Sequence, residues 1–284
     1  MASKYSDMLV VSDMDGTLLQ AGYGIPKENI DAIDAFVKKG GLFTVATGRS
    51  IESVGKYIDW LHFSAPAILC NGGLIYDYGE QKILFERVLE PQAKDIVHDV
   101  MAQFPDMGIE IHIAGKIVAV RMNECILNHT ALEHISFTLR DIETVGDRWN
   151  KVFFSDEPQK IAALKKYVDE QCRLDEKYAQ FDYFLTGPTK YELVPKGINK
   201  GDGLRMLAKL MGIDIKKTVA IGDFDNDIPM LEAAGCAVAV ADALPEVRAM
   251  ADMTVGSCLQ GGVGELLDSI DDICDGYMQL KLEL

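Results

Sequence analysis

Short apolar runs that stop abruptly at polar, loop-forming residues constrain this chain more than any other feature. Met8 to Ser12 runs into Asp13, Leu42 to Ala46 into Thr47-Gly48-Arg49, and Ala67 to Cys70 into Asn71-Gly72-Gly73. Far along the chain, Thr218 to Ile221 runs into Gly222-Asp223-Phe224-Asp225-Asn226-Asp227. Unbroken apolar runs of this length read as strands buried on both faces, which is how parallel strands look. Helical spacing separates them. Ile30, Ile33 and Val37 form one stripe, closed by Gly40-Gly41. Ser50 can cap a helix whose buried face is Ile51, Val54, Ile58 and Leu61. Near the end, Leu204, Leu207 and Met211 follow Asn199-Lys200-Gly201, and Gly212 closes that helix. Pro229 suits a first helical turn and Gly235 a helix end; Ala237 to Val240 reads as a strand and Leu244 to Ala251 as a helix. Strand and helix in alternation predict an α/β fold with a doubly wound parallel sheet.

The middle of the chain breaks this pattern. A helix is expected from Pro91 to Phe104, then two strands in which Ile109, Ile111 and Ile113 alternate and Ile117 to Val120 follows a tight Ala114-Gly115-Lys116 turn. A strand at Lys151 to Phe154, a helix from Pro158 to about Cys172, and strands Tyr183 to Thr186 and Lys190 to Val194 complete the segment. These read as an α+β insert with an antiparallel sheet. The expected organisation is therefore a Rossmann-like core built from residues 1–85 and 193–284, interrupted by an inserted domain at 86–192.

Composition excludes several functions. Lys and Arg total 28 against 44 Asp and Glu, a net charge of -16 that repels nucleic-acid phosphates and anionic membranes; no basic cluster offsets it. No apolar run is long enough to span a bilayer, and Met1 to Asp7 lacks a signal pattern. The six cysteines, Cys70, Cys125, Cys172, Cys236, Cys258 and Cys274, show no CxxC pair, so free thiols in the cytoplasm are expected. Oligomeric state is left open.

Asp13 and Asp15 follow one strand, and Asp223 and Asp227 another, so four carboxylates gather at one sheet edge. Two unit charges ~5 Å apart repel by about 3 kcal/mol at an effective dielectric near 20, so such a group needs a cation, a proton or hydrogen bonds. An all-oxygen set without neighbouring His or Cys suits Mg²⁺. Four ionised carboxylates with Mg²⁺ and Lys200 carry one net negative charge; one protonated aspartate makes the set neutral and able to accept a phosphate dianion. Metal, lysine and acid together serve phosphoryl transfer, and a carboxylate can act as its nucleophile. Asp13 can point to phosphorus while Asp15 reaches the leaving group.

Asp13-Met14-Asp15-Gly16-Thr17, Ala46-Thr47-Gly48-Arg49, Asn199-Lys200-Gly201 and Gly222-Asp223-Phe224-Asp225-Asn226-Asp227 occur in this order. Together with Asn71-Gly72-Gly73 and Gly262-Val263, they make the chain resemble the haloacid-dehalogenase-like (HAD) phosphatases, specifically the Cof-type group of subfamily IIB. The resemblance implies that Asp13 is the nucleophile and a metal ligand, and that Asp15 is the acid/base with its carbonyl on Mg²⁺. It implies that Asp223 binds the metal, that Asp227 stands behind the ligands, and that Thr47, Gly48, Lys200 and Asn226 hold phosphate. The insert becomes a cap that sets specificity between about Glu86 and Glu192. Phe224 departs from the small polar residue common there, and could trim the pocket or pack beneath the loop.

The expected function is a Mg²⁺-dependent phosphatase for small phosphorylated metabolites, such as sugar phosphates, working through an aspartyl-phosphate. A sugar phosphomutase and a catalytically silent phospho-ligand-binding protein are the alternatives. Arg49 could reach substrate or pair with a surface acid, and the sequence leaves both open. His62, His98, His112, His129 and His134 lack metal-ligand spacing, Trp60 and Trp149 read as packing residues, and Asp225 as a loop acid.

Overall fold

The computed structural model describes residues 5, 7–113, 115–133 and 136–273. The expectations placed on residues 1–4 and 6, on Ala114, on His134 and on Cys274 lie outside the described residues. The chain divides into two compact units, one comprising 1–49, 55–85 and 199 onward, the other 50–54 and 86–198.

In the first unit, five parallel strands lie in the order Met253–Val255, Cys236–Val240, Thr218–Gly222, Leu9–Ser12, Leu42–Val45. Leu9–Ser12 is an interior strand, between Thr218–Gly222 and the edge strand Leu42–Val45; its four residues are all buried and both neighbours pair with it in register, Ser12 lying opposite both Ile221 and Val45. The helix Lys27–Lys38 buries Ala32, Ile33 and Phe36. Gly41 must be glycine there, because a Cβ would lie 2.3 Å from the Phe36 ring. The helix Lys200–Met211 is capped by Asn199, whose side chain accepts from the Asp202 amide, and ends at Gly212 in the left-handed region (φ 68°). Leu204, Leu207 and Ala208 form its buried face; Met211, expected on that face, is only partly covered.

Two expectations need correction. The helix after Ser50 spans only Ile51–Gly55, and the chain turns through 56–60, which leaves Trp60 56% exposed and packed edge-on against Tyr57 rather than in a core. The run at Ala67 is a strand (Ala67–Leu69), but it pairs antiparallel with Leu74–Asp77 in a separate sheet completed by Lys82–Glu86. It meets the parallel sheet through the parallel bridge of Ala46 to Ile68.

The second unit holds a six-stranded sheet ordered Phe181–Gly187, Lys190–Pro195, Lys151–Ser155, Gly108–Ile113, Lys116–Arg121, Phe137–Leu139. Its pairs are antiparallel except the last, which is parallel. Ile109, Ile111, Val152, Phe154, Tyr191 and Leu193 point to one face and join the buried residues of Gln92–Gln103 and Pro158–Leu174 in one core. Trp149 belongs to that core, as expected. Among the described residues no helix is long and apolar enough to cross a membrane, and Cys125, Cys172 and Cys258 carry free thiols.

Candidate active site

The site grows from two adjacent strand ends. The Asp13 amide donates to the Ile221 carbonyl at 2.9 Å, continuing the pairing of Leu9–Ser12 with Thr218–Gly222 one residue past the strand. That places the Asp13 loop beside the Asp223 loop. The first loop closes tightly: Leu18 and Leu19 amides donate to the Met14 carbonyl, and the Gly16 amide to the Leu19 carbonyl. Gly16 takes φ +98°, and a Cβ there would lie 2.5 Å from Asp223 Oδ2, so only glycine lets the loops approach. Thr17 then donates its hydroxyl to Asp223 Oδ1 at 2.6 Å.

Lys200 is delivered by the first turn of its helix and is 1% exposed. Its Nζ donates to Asp13 Oδ1 at 2.5 Å and to Asp227 Oδ1 at 2.6 Å. The helix comes this close because Gly201 packs on Pro229, where a Cβ would meet the carbonyl oxygen at 2.2 Å. Asp227 has both oxygens engaged: Oδ2 accepts from the Asp223 amide (3.0 Å) and the Phe224 amide (3.1 Å). It therefore fixes the loop and the lysine. Phe224 contributes only its backbone; its ring is 53% exposed, which removes the option that it packs beneath the loop.

Asp13, Asp223 and Asp227 each offer an oxygen within 4.8 Å of the others, the one group of metal-binding side chains this close among the described residues. Three carboxylates share one ammonium, and burial together with the neighbouring charges shows in the proton affinities of Asp13 and Asp223. Burial pushes the Asp13 carboxyl well above the ordinary range despite the pull of Lys200, and Asp227 and Asp223 add to the effect. Burial also pushes Asp223 up to about 6, against the Thr17 hydrogen bond. Burial opposes the Lys200 charge, yet Asp13 and Asp227 hold the ammonium above its ordinary value. An under-neutralised, all-oxygen cluster of this kind fits a hard divalent cation such as Mg²⁺. Asp227, with both oxygens already engaged, is the least available of the three.

A second group sits at the same strand edge. The Thr47 amide donates to the Ile68 carbonyl, and Thr47 Oγ1 accepts from the Arg49 amide at 3.2 Å, leaving the hydroxyl proton to donate elsewhere. Asn71, buried and in the left-handed region (φ 55°), returns its amide to the Thr47 carbonyl and accepts from Asn226 Nδ2 at 3.3 Å. Its side chain also lies 3.2 Å from where a Gly48 Cβ would be. Asn71 thus ties Thr47, Gly48 and Asn226 together, a linking role that its place after a strand only hinted at.

Asp15 stands apart from the carboxylate cluster. Its side chain is 51% exposed and meets Arg49 in a two-toothed pair, Nε to Oδ2 at 2.7 Å and Nη2 to Oδ1 at 2.6 Å. Of the two roles left open for Arg49, the structure shows an acid partner, and that acid belongs to the first motif. Cys258 is fully buried and its thiol is pushed up to about 12 by burial, then by Asp242 and Asp223, so it is an inert neighbour. Asp225 is exposed on its loop, in keeping with a loop acid. The described histidines join no metal-capable group: His62 pairs with Asp34, His98 with Glu143, and His129 stacks on Phe153.

The chain is similar to known proteins over most of its length. The family model described as haloacid dehalogenase-like hydrolase matches residues 10–267. The putative phosphatase YxeH of Bacillus subtilis is 29% identical over 275 residues, covering 92% of this chain and 97% of the relative. The pyridoxal phosphate phosphatase YbhA of Escherichia coli is 24% identical over 276 residues, with 92% and 97% covered. Among solved structures, the subclass IIB sugar phosphatase BT4131 superposes with a TM-score of 0.77 at 20% identity, covering 93% of this chain and 99% of that one.

Proposed function

The chain belongs to the haloacid dehalogenase-like hydrolases, with the fold of their subclass IIB, and from that membership we propose that it is a Mg²⁺-dependent phosphatase of small phosphorylated metabolites, attacking phosphorus with Asp13. The observation that carries the reading is Lys200 bridging Asp13 and Asp227 while Thr17 anchors Asp223. Lys200 pins Asp13 through Oδ1 alone, which leaves Oδ2 to form the bond to phosphorus. Asp15 gives a proton to the leaving oxygen as that P–O bond breaks, then takes one from the water that hydrolyses the aspartyl-phosphate. Thr47, the Gly48 amide, Lys200 and Asn226 hold the phosphoryl oxygens. Asp13, Asp223 and the Asp15 carbonyl would hold Mg²⁺, which when bound supplies positive charge beside the phosphoryl group.

A sugar phosphate or a compound of similar size is the substrate class we favour, and a relative named for pyridoxal phosphate supports a small phosphorylated metabolite. We place the core at 1–85 and from 199 onward, rather than from the expected 193, because the strand Lys190–Pro195 lies within the sheet of the second unit, which we take as the substrate-selecting cap; we place the protein in the cytoplasm. The test is phosphate release from a panel of phosphorylated metabolites, with Mg²⁺ present and then chelated. Asp13→Asn is expected to abolish release and keep the fold; a variant that still turns over would overturn the assignment.

A further inference from the structure

Asp15 is a half-exposed aspartate on a loop whose own hydrogen bonds run between backbone groups or from Thr17 to Asp223. A proton donor must nonetheless be held within hydrogen-bond reach of the leaving oxygen. The group that fixes it is 34 residues away in sequence. Arg49 takes both Asp15 oxygens at 2.7 and 2.6 Å, and this fork fixes the plane of the carboxyl group as well as its position. The guanidinium is itself held. It lies 5.6 Å from the centre of the Tyr57 ring, and its side chain is only 16% exposed. Its backbone amide donates to Thr47 Oγ1, in the loop expected to hold phosphate.

We propose, building on the phosphatase reading above, that Arg49 is the positioning residue of the acid/base: it orients Asp15 toward the leaving oxygen and ties that orientation to the Thr47 loop. In the half of the cycle in which Asp15 carries a proton, one hydrogen bond of the fork gives way and the other keeps the side chain aimed. The proton passes to the departing alcohol, Asp15 becomes a carboxylate, and the full fork re-forms before water attacks. Lysine, a point charge on a flexible stem, cannot reproduce the fork.

This role separates from simple phosphate binding by its dependence on the leaving group. For a phosphate ester, kcat/KM reports transfer to Asp13, and an aryl ester such as p-nitrophenyl phosphate needs no proton on its leaving oxygen, whereas an alkyl or sugar phosphate does. Arg49→Ala is expected to lower kcat/KM by ~10- to 100-fold for the alkyl ester and by less than ~3-fold for the aryl ester, as a weakened general acid requires. Asp15→Asn should show the same selectivity, and the double variant should lose little more than Asp15→Asn alone, since both changes remove one function. Arg49→Lys should stay low on the alkyl ester, and millimolar methylguanidine should restore part of the Arg49→Ala loss.

An equal loss on both esters would mean that Arg49 holds the phosphate itself, and an unchanged alkyl-ester rate would mean that Asp15 needs no such support; either overturns the proposal. Asp13→Asn is run beside them. If it still turns over either ester, or if the unaltered protein turns over neither, the phosphatase reading has failed, independently of what Arg49 does.

Discussion

Asp223 should make the metal-free protein less stable as pH rises toward neutrality, opposite to the behaviour of a carboxylate in a favourable ion pair. Its folded value is raised from 3.8 to about 6 because burial outweighs the Thr17 hydrogen bond. The folded state therefore holds the proton more tightly than the unfolded chain does. The resulting stabilisation is fully present below the unfolded value, and is lost as pH rises through about 6. A shift of about two units corresponds to about 3 kcal/mol in full, of which about 2 kcal/mol falls between roughly pH 4.5 and 7.5. Asp223→Asn is the informative perturbation, because the amide keeps an oxygen for the Thr17 hydroxyl but cannot ionise. Urea unfolding of chelator-treated protein, unaltered and variant, measures the effect at each pH. The variant should gain about 2 kcal/mol relative to the unaltered protein across that window, a midpoint change of ~1 M urea. A difference that stays flat with pH, or that moves the other way, would show that burial does not govern this carboxylate.

Three further outcomes follow from the same cluster. Lys200→Met leaves Asp13 and Asp227 buried without their cation, and should cost about 3–5 kcal/mol in chemical denaturation as well as turnover. Gly16→Ala forces a side chain into φ +98° and toward Asp223 Oδ2, and should cost about 1–3 kcal/mol while weakening Mg²⁺ binding in a calorimetric titration. At neutral pH, Mg²⁺ at ~100 times its dissociation constant should stabilise the chelator-treated protein by about 2.7 kcal/mol in thermal or urea unfolding, and Asp223→Asn should remove most of that gain.

The features legible in the amino-acid sequence are those that depend on neighbours in the chain. The strands at Leu9, Leu42, Thr218 and Cys236 announce themselves by burial on both faces, and the Lys200 helix by its Asn199 cap and Gly212 stop. Short elements escape where spacing is ambiguous: Ile51, Val54, Ile58 and Leu61 fit one helical stripe, yet the helix ends at Gly55 and Tyr57 turns back beneath Arg49. The strand Phe137–Leu139 has three residues and two exposed side chains, so it carries no pattern to detect. Partners across the fold are out of reach for a simpler reason. Nothing local to Arg49 singles out Asp15 among 44 acidic residues, and nothing local to Asp227 reveals that two amides and a lysine consume both its oxygens.

Those partners change the charge balance on which the chemistry rests. Counted from the sequence, four carboxylates, Lys200 and a divalent cation keep one negative charge, so a protonated aspartate is required before a phosphate dianion can enter. In the fold, Asp15 is neutralised by Arg49 and drops out of the count. Asp13, Asp223 and Asp227 against Lys200 leave two negative charges, which a divalent cation would cancel in full. Neutrality is then reached with every carboxylate ionised, and a protonated aspartate adds to it. In the proposed mechanism the same arithmetic gives one arginine two ends: holding Asp15 would aim the acid/base, and the positive charge supplied there would keep that carboxylate from repelling the phosphate.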